Sequence, residues 1–171
     1  AIVEMYRVMN NYGYDELIEH LALLAPTGRA SKRMSESTHL PATTIHRFLK
    51  WNKDNNEFLM NEYNKDFSDF IIVDEVSMID INLLSSLMKG LTNNIQLIFV
   101  GDADQLPSVG PGQILKDLID SEVIDTVKLD LLYRQSEDSY INRFAIEIKE
   151  NNISPDFKKM KDDYAFLECS N

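Results

Sequence analysis

Residues 70–75 read FIIVDE, and residues 96–105 read QLIFVGDADQ. Each stretch is an apolar run that ends abruptly in two acidic residues, which are Asp74 and Glu75 in the first stretch. A short continuous apolar run is typical of a strand that is buried on both faces of a sheet. In open α/β sheets, side chains that follow such strands meet at one edge and form ligand sites. The two stretches therefore predict two strands with carboxylates at their carboxyl ends, as in the core of a nucleoside triphosphatase.

The segments around these two runs alternate between strand-like and helix-like patterns. From periodicity and end signals we predict strands at 20–25, 69–74, 95–100 and 126–131, and helices at 1–12, 29–36, 43–50, 80–90, 113–121 and 139–150. Gly13 is expected to end the first helix. Residues 51–68 are polar and rich in asparagine, which favours a surface excursion such as a hairpin. This alternation predicts an α/β fold with a mainly parallel sheet flanked by helices.

The composition bounds the class of protein. A chain of 171 residues with 44% hydrophobic and 26% charged residues can form one globular domain or one lobe of a larger protein. It contains no apolar run of membrane-spanning length, and its first residues lack the pattern of a signal peptide. A single cysteine, Cys169, excludes an internal disulfide and a cysteine-based zinc site. We therefore expect a cytoplasmic protein with no membrane partner, and the missing initiator methionine predicts that the numbering starts inside a longer polypeptide.

The charge is unevenly distributed along the chain. The net charge is −11, yet residues 29–53 contain six basic residues and one acidic residue, so that segment carries +5 and the remainder −16. A local basic patch on an acidic body is compatible with contact to DNA or RNA phosphates. A solvated helix face would have the same composition, and charge alone leaves both interpretations open.

The acidic ends of the two runs carry the candidate chemistry. At the end of a strand, Asp74 could hold Mg²⁺ and Glu75 could orient or deprotonate an attacking water, although Asp74 could equally cap a turn. Residues 101–112 read GDADQLPSVGPG, where Gly101 permits a tight turn. Gln105 offers an amide that can bond a γ-phosphate or its attacking water. Turn formation alone does not require this acidic and amide cluster, so the second loop is the more specific signal.

Five segments taken together resemble the motor motifs of superfamily-one DNA helicases. They are APTGRASKRM at 25–34, TIHR at 44–47, DEVSM at 74–78, the loop at 101–112, and YRQ at 133–135. The resemblance spans residues 1–150 and is strongest to the RecD branch, which includes the alpha subunit of exodeoxyribonuclease V and stand-alone relatives. It implies a RecA-like motor lobe of the P-loop NTPase class, with ATP and Mg²⁺ as cofactors and single-stranded DNA as partner.

The resemblance also implies roles for individual residues of the nucleotide site. Asp74 would be the Mg²⁺ ligand and Glu75 the catalytic carboxylate. Gln105 would sense the γ-phosphate. Arg134 would stabilise charge on the transferring phosphoryl group, a task that suits a planar guanidinium, unless it forms an ordinary salt bridge.

The same resemblance implies a DNA-binding set in the basic part of the chain. The stretch 26–33 matches a motif that touches the strand backbone, and residues 44–47 match a further strand-contacting element. The implied DNA-binding residues are Pro26, Thr27, Gly28, Arg29, Lys32, Arg33, Thr44, His46 and Arg47. For His46, a helix-capping or core position is an equally supported alternative.

One expected motif is missing from the sequence. None of the six glycines belongs to a G-x-x-x-x-G-K-[ST] loop, which cradles the nucleotide phosphates in this class. We therefore expect residues 1–150 to be a partial motor lobe whose P-loop lies upstream, residues 151–171 to lead towards the second motor lobe, and this part alone to be inactive. Expected partners are the remaining helicase domains and the subunits of a repair nuclease complex. The alternatives are a non-enzymatic α/β relic that binds DNA or protein, and a Pif1-like or relaxase-type helicase.

Overall fold

The structure, a computed structural model, describes residues 1–129 and 139–167. These residues group into two units, Ala1–Thr126 and Val127–Asn171, which are described separately. The helices are α1 (Ile2–Met9), α2 (Tyr14–His20), α3 (Gly28–Thr38), α4 (Ile45–Phe48), α5 (Ile81–Lys89), α6 (Ile114–Asp120) and α7 (Tyr140–Lys149). The strands are β1 (Leu21–Ala25), β2 (Ala42–Thr44), β3 (Trp51–Asn52), β4 (Glu57–Phe58), β5 (Phe70–Val73) and β6 (Gln96–Phe99). Across the described ranges, no helix is both long enough and apolar enough to cross a membrane.

Four strands of the first unit form one parallel sheet in the order β2-β1-β5-β6. Strand β1 lies between β2 and β5, and Leu23 is in register with Ala42 on one side and Ile72 on the other. Parallel neighbours require crossover connections, and the helices supply them. The predicted α/β fold with a mainly parallel sheet flanked by helices is therefore confirmed.

Both faces of the sheet are covered, which explains why β5 is a continuous apolar run. Ile71 and Val73 belong to one buried cluster, while Phe70 and Ile72 belong to the cluster on the opposite face. Successive side chains of a strand point to opposite faces, so this division follows from the strand geometry. The first cluster also contains Leu24, Ile45, Leu49, Met60, Val76, Ile79, Leu87, Leu91, Ile114 and Leu115. The second also contains Leu17, Leu21, Leu23 and Leu40.

The predicted hairpin is present between β2 and β5. Strands β3 and β4 pair antiparallel, with Trp51 opposite Phe58. Backbone hydrogen bonds continue the ladder beyond the strands, from the N–H of Met60 to the carbonyl of Leu49 (3.1 Å). The hairpin is therefore joined to the end of α4, the helix that directly follows β2.

Four local features differ from the sequence-based expectation. The helix predicted at 43–50 is confined to α4, and the residues before it form the strand β2, which was not predicted. Helix α1 ends at Met9, and Gly13 is the N-cap of a second helix, α2, rather than the end of the first. Helix α2 was not predicted because only Leu17 in it is buried, which leaves no apolar period to detect. The described part of the strand predicted at 126–131, residues 126–129, is not a strand.

The second unit contains α7 and a small aromatic cluster. The buried ring of Phe144 lies 4.7 Å from the ring of Tyr164 and 5.3 Å from that of Phe157, measured between centroids. The hydroxyl of Ser139 donates to Oδ2 of Asp163 (2.7 Å), and this bond lowers the pKa of that carboxyl group. These contacts hold the start of α7 against residues near the end of the described chain.

Candidate functional site

The candidate site lies at the carboxyl edge of the parallel sheet. Because all four strands run in the same direction, the loops that follow them meet at this edge. Residues 26–28 follow β1, Thr44 ends β2, residues 74–75 follow β5, and residues 101–105 lie beyond β6. The strand order places the two predicted DNA-binding loops on one half of the edge and the two predicted nucleotide loops on the other.

The segment of Asp74 and Glu75 is fixed by main-chain hydrogen bonds. The N–H of Asp74 donates to the carbonyl of Leu24 (2.9 Å), and the N–H of Val76 donates to the carbonyl of Val100 (3.0 Å). The N–H of Val100 in turn donates to the carbonyl of Val73 (2.8 Å). The ladder of the sheet therefore continues past β5 and β6 and holds both half-buried carboxylates at the edge.

Glu75 has an unusual backbone conformation for its residue type. Its φ of 55° and ψ of 41° lie in the left-handed region, which a non-glycine residue occupies only when the surrounding structure holds it there. Its N–H donates to Oδ1 of Asp74 (2.9 Å), so the first carboxylate does stabilise the turn, as the capping alternative predicts. This bond uses one oxygen of Asp74, and a carboxylate oxygen has further acceptor capacity for a metal.

An ion pair crosses from the DNA-binding half of the edge to the nucleotide half. Nη2 of Arg33, on α3, lies 3.1 Å from Oε1 of Glu75. The Arg33 side chain is 54% exposed and that of Glu75 is 22% exposed. The structure thus joins a predicted DNA-binding residue to the predicted catalytic carboxylate, which their separation of 42 positions in sequence did not predict.

The loop beyond β6 begins with a close backbone approach. A Cβ at Gly101 would lie 3.2 Å from the N atom of Val76 and 2.9 Å from Cδ2 of Leu115, so no side chain fits without displacement. The next residues form a turn, in which the N–H of Gln105 donates to the carbonyl of Asp102 (3.2 Å). Gln105 is exposed at the surface of this turn. Its amide is therefore accessible to a ligand at the edge of the sheet.

The far end of the same loop is packed against the start of α5. The N–H of Ile81 donates to the carbonyl of Pro111 (3.0 Å), and Oδ1 of Asp80 caps α5 by accepting from the N–H of Leu83 (2.8 Å). A Cβ at Gly110 would lie only 2.6 Å from Cβ of Asp80. A glycine is therefore required at position 110 so that the loop can pack closely against Asp80, in addition to any need for glycine in turning the chain.

On the other half of the edge, Thr27 caps α3, and the exposed surface of α3 is basic. Its Oγ1 accepts from the N–H of Ala30 (3.2 Å). Gly28 is exposed, and an added Cβ there would meet no heavy atom within 4 Å. Arg29 and Lys32 are also exposed, and Lys32 Nζ lies 3.8 Å from Glu36 Oε1. Pro26 is half-buried.

The end of β2 and the helix α4 that directly follows it carry the remaining predicted DNA-binding residues. Oγ1 of Thr44 caps α4 by accepting from the N–H of Arg47 (3.2 Å), and Arg47 is exposed. His46 is exposed, so it is not a core residue, and its ring lies 5.6 Å from that of Phe58 and 6.2 Å from that of Trp51. These residues lie at the end of β2 and the start of α4, so they reach the same edge of the sheet as the start of α3.

Arg134, the predicted transition-state arginine, lies outside the described residues. The donor set that is described suits Mg²⁺ held together with a nucleotide, because Mg²⁺ binds one or two carboxylates and completes its shell with phosphate oxygens and water. Asp74 supplies such a carboxylate, and the neighbouring Glu75 would stand beside the metal. Within ranges 1–129 and 139–167, no group of three or more His, Cys, Asp or Glu residues could hold a metal ion.

Sequence reasoning did not single out Ser77, which follows the two carboxylates. Its Oγ is buried and has no hydrogen-bond partner among the described residues. Its N atom is also one of the two main-chain atoms that a side chain at Gly101 would crowd. A hydroxyl inside an otherwise apolar turn was the only signal in the sequence.

Comparisons with known proteins agree with this arrangement. Residues 1–111 match the family described as AAA domain. The chain is 38% identical over 116 residues to the ATP-dependent RecD2 DNA helicase of Deinococcus radiodurans, covering 68% of this chain and 16% of that protein. It is 35% identical over 117 residues to the RecBCD enzyme subunit RecD of Mycolicibacterium smegmatis, covering 58% of this chain and 21% of that protein. The chain therefore spans about a fifth or less of the length of these relatives.

Solved structures show the same fold. A Pif1 helicase from Bacteroides, in complex with ADP-AlF3 and single-stranded DNA, has a TM-score of 0.54 at 18% identity, covering 95% of this chain and 51% of that one. A structure of two coordinating Pif1 helicases has a TM-score of 0.55 at 17% identity, covering 95% and 45%. These likenesses confirm the predicted motor-lobe fold. With the family match over more than half of its residues, this chain belongs to the AAA-domain family, and its predicted resemblance to RecD-like superfamily-one helicases is confirmed.

Proposed function

We propose that this chain is part of an ATP-dependent DNA helicase of the RecD type, which acts in the cytoplasm in DNA recombination or repair and moves along single-stranded DNA. The observation that carries the proposal is that three features share the carboxyl edge of the sheet: the acidic pair Asp74 and Glu75, the loop that contains Gln105, and the basic helix α3. In the proposed organisation, residues 1–150 belong to the first motor lobe and residues 151–171 lead towards the second. The proposed partners are single-stranded DNA, the remaining domains of the helicase and the subunits of a repair nuclease complex.

In the proposed nucleotide half, Asp74 holds Mg²⁺ and Glu75 orients the attacking water. A carboxylate beside a hydrated metal is a suitable base, and the fixed backbone of Glu75 limits where that carboxylate can lie. Gln105 reports the presence of the γ-phosphate, since its amide is exposed on a turn at the same edge. Arg134 would neutralise charge on the transferring phosphoryl group.

In the proposed DNA half, main-chain and side-chain groups of α3 and α4 hold the phosphates of one strand. Thr27 and Thr44 stand at the starts of these helices, and exposed cations lie on the surfaces behind them. Such contacts position the protein on DNA without reading its sequence. The contributing residues are Pro26, Thr27, Gly28, Arg29, Lys32, Arg33, Thr44, His46 and Arg47.

Alanine at both Arg29 and Lys32 is expected to weaken binding of single-stranded DNA and to flatten its dependence on salt. Each lost phosphate contact lowers the slope of log K against log salt by about 0.7, so the pair should lower it by about 1.4. Fluorescence anisotropy of a labelled oligothymidylate at several salt concentrations measures both quantities. Alanine at Lys89 and Lys116, two exposed lysines on other helices, is the matched control. An unchanged slope in the Arg29 and Lys32 variant would return this surface to the solvated-face interpretation.

Gln105→Ala is expected to uncouple ATP hydrolysis from unwinding in the full-length helicase. Hydrolysis should persist because Glu75 is intact, while fewer base pairs are opened per ATP because the loop no longer detects the γ-phosphate. Parallel assays of phosphate release and strand separation give the ratio. Gln113→Ala removes an exposed glutamine at the start of α6 that makes no side-chain cap bond, and it should leave the ratio unchanged. Normal unwinding per ATP in the Gln105 variant would contradict the sensor role.

The alternative, a non-enzymatic α/β relic that binds DNA or protein, can be distinguished from this proposal by the sequence encoded upstream of Ala1. A helicase requires a phosphate-cradling G-x-x-x-x-G-K-[ST] loop, and the dozen residues before Ala1 are where the family pattern places it. Such a loop in the encoding DNA supports the motor. Without it, the protein would bind DNA or protein partners and turn over no nucleotide.

A further inference from the structure

The ion pair between Arg33 and Glu75 joins two groups to which different tasks are assigned. Arg33 extends from α3, whose exposed face carries Arg29 and Lys32 as well. Glu75 follows β5 and is the proposed catalytic carboxylate. Their side-chain atoms are 3.1 Å apart, so in this conformation the carboxylate is neutralised by a cation of the DNA-binding surface.

A guanidinium binds carboxylates and phosphates through the same planar arrangement of N–H groups. A DNA phosphate that approaches α3 therefore competes with Glu75 for Arg33. The arginine is 54% exposed and so is accessible to such a phosphate. Exposed ion pairs are weak, and an incoming multiply charged strand can displace them.

The two partners differ in their freedom to move. The backbone of Glu75 is held in the left-handed region, and the residues on both sides of it are hydrogen-bonded to neighbouring strands. Arg33 is a long side chain on the surface of a helix. Breaking the pair therefore moves the arginine away and frees the side chain of Glu75, while its backbone stays in place.

We propose that Arg33 is a positioning residue that restrains Glu75 when no DNA is bound and releases it when a phosphate of single-stranded DNA takes its place. The released carboxylate is then free to orient the attacking water. Hydrolysis would in this way depend on DNA through one side chain at the border between the two halves of the edge. The inference rests on the proposed helicase function and adds a route by which DNA controls the nucleotide site.

A double-mutant cycle on DNA affinity tests the competition without any need for hydrolysis. Glu75→Gln should tighten binding of an oligothymidylate about two- to fivefold, the equivalent of an exposed ion pair, because Arg33 no longer has a competing carboxylate. In the Arg33→Ala background the same glutamine substitution should have no effect. Fluorescence anisotropy at one fixed low salt concentration measures all four proteins.

Glu36→Gln is the matched control, since Glu36 lies on α3 and pairs with Lys32 rather than Arg33. Its effect on affinity should be the same with or without Arg33. If Glu75→Gln tightened binding equally with Arg33 and with alanine at position 33, the effect would come from the loss of a negative charge in general. The proposed competition would then be wrong. If the unsubstituted protein did not bind the oligothymidylate, the proposed helicase function itself would be overturned.

Rates of ATP hydrolysis with and without DNA show whether the ion pair between Arg33 and Glu75 controls hydrolysis or only supports the fold. In the full-length helicase, Arg33→Ala should raise ATP hydrolysis measured without DNA and so reduce the ratio of DNA-stimulated to basal rate. Arg33→Lys keeps a cation within reach of Glu75 and should restore much of that ratio. A variant that lowers both rates by the same factor would contradict the proposal.

Discussion

Replacing Glu75 with glutamine is expected to reduce ATP hydrolysis by the proposed full-length helicase by about 10²- to 10⁴-fold, the usual contribution of the positioned general base that Glu75 is proposed to be. ATP binding should be retained, because Asp74 and its bond to the N–H of residue 75 are unaffected. The fold should also be retained, since glutamine differs little in size from glutamate. Phosphate release measures hydrolysis, and a fluorescent ATP analogue measures binding.

The matched control for that substitution is Glu36→Gln, which removes one negative charge from the exposed surface of α3. It should leave the hydrolysis rate within the error of the assay. Persistent DNA-stimulated hydrolysis in the Glu75 variant would contradict the assignment of the acidic pair. Loss of ATP binding together with hydrolysis would instead indicate that Glu75 contributes to the nucleotide pocket itself.

Gly110→Ala is expected to lower the free energy of unfolding by about 1–3 kcal/mol, the usual effect of overpacking. The new Cβ would lie 2.6 Å from Cβ of Asp80, so either the loop or Asp80 must move. Moving Asp80 removes the cap of α5, which alone costs about 1 kcal/mol. Urea denaturation followed by circular dichroism measures the change.

Gly13→Ala is the control for that prediction. An added Cβ at Gly13 meets no heavy atom within 4 Å, and its φ of −69° is open to any residue. Alanine there should change the free energy of unfolding by less than about 0.5 kcal/mol, because the lost N-cap preference of about 0.5–1 kcal/mol is offset by the lower conformational entropy of the unfolded chain, which contributes about 0.4–1 kcal/mol. Equal destabilisation by the two substitutions would show that contact with Asp80 is not the cause.

The sheet could be predicted because its strands are buried on both faces. The runs that became β1, β5 and β6 are almost wholly apolar, and that property alone distinguishes them from their surroundings. Strand β2 escaped prediction, because it is three residues long and its last two are the polar Thr43 and Thr44. It lies at the edge of the sheet because it pairs with β1, and a local sequence pattern does not indicate such pairing.

The candidate site likewise contains features that the sequence predicts and contacts that it does not. The positions of Asp74 and Gln105 at one edge follow from two parallel strands that end in polar residues, and the sequence predicted both. The contact of Arg33 with Glu75 depends on how α3 packs back onto the sheet, which is a tertiary property. The contact of Gly110 with Asp80 is of the same kind, since it depends on the path of a loop rather than on residue type.

One further consequence concerns what an inactive copy of the protein would do in a cell. The segment that carries Asp74 and Glu75 is held by main-chain bonds to Leu24 and Val100, and substitution of a side chain does not remove such bonds. Variants that lose the chemistry should therefore remain folded and escape the proteases that remove unfolded chains. If they still bind single-stranded DNA, they will occupy sites that intact copies need. In a strain that carries both alleles, such mutations are expected to be dominant, whereas those that unfold the sheet should be recessive.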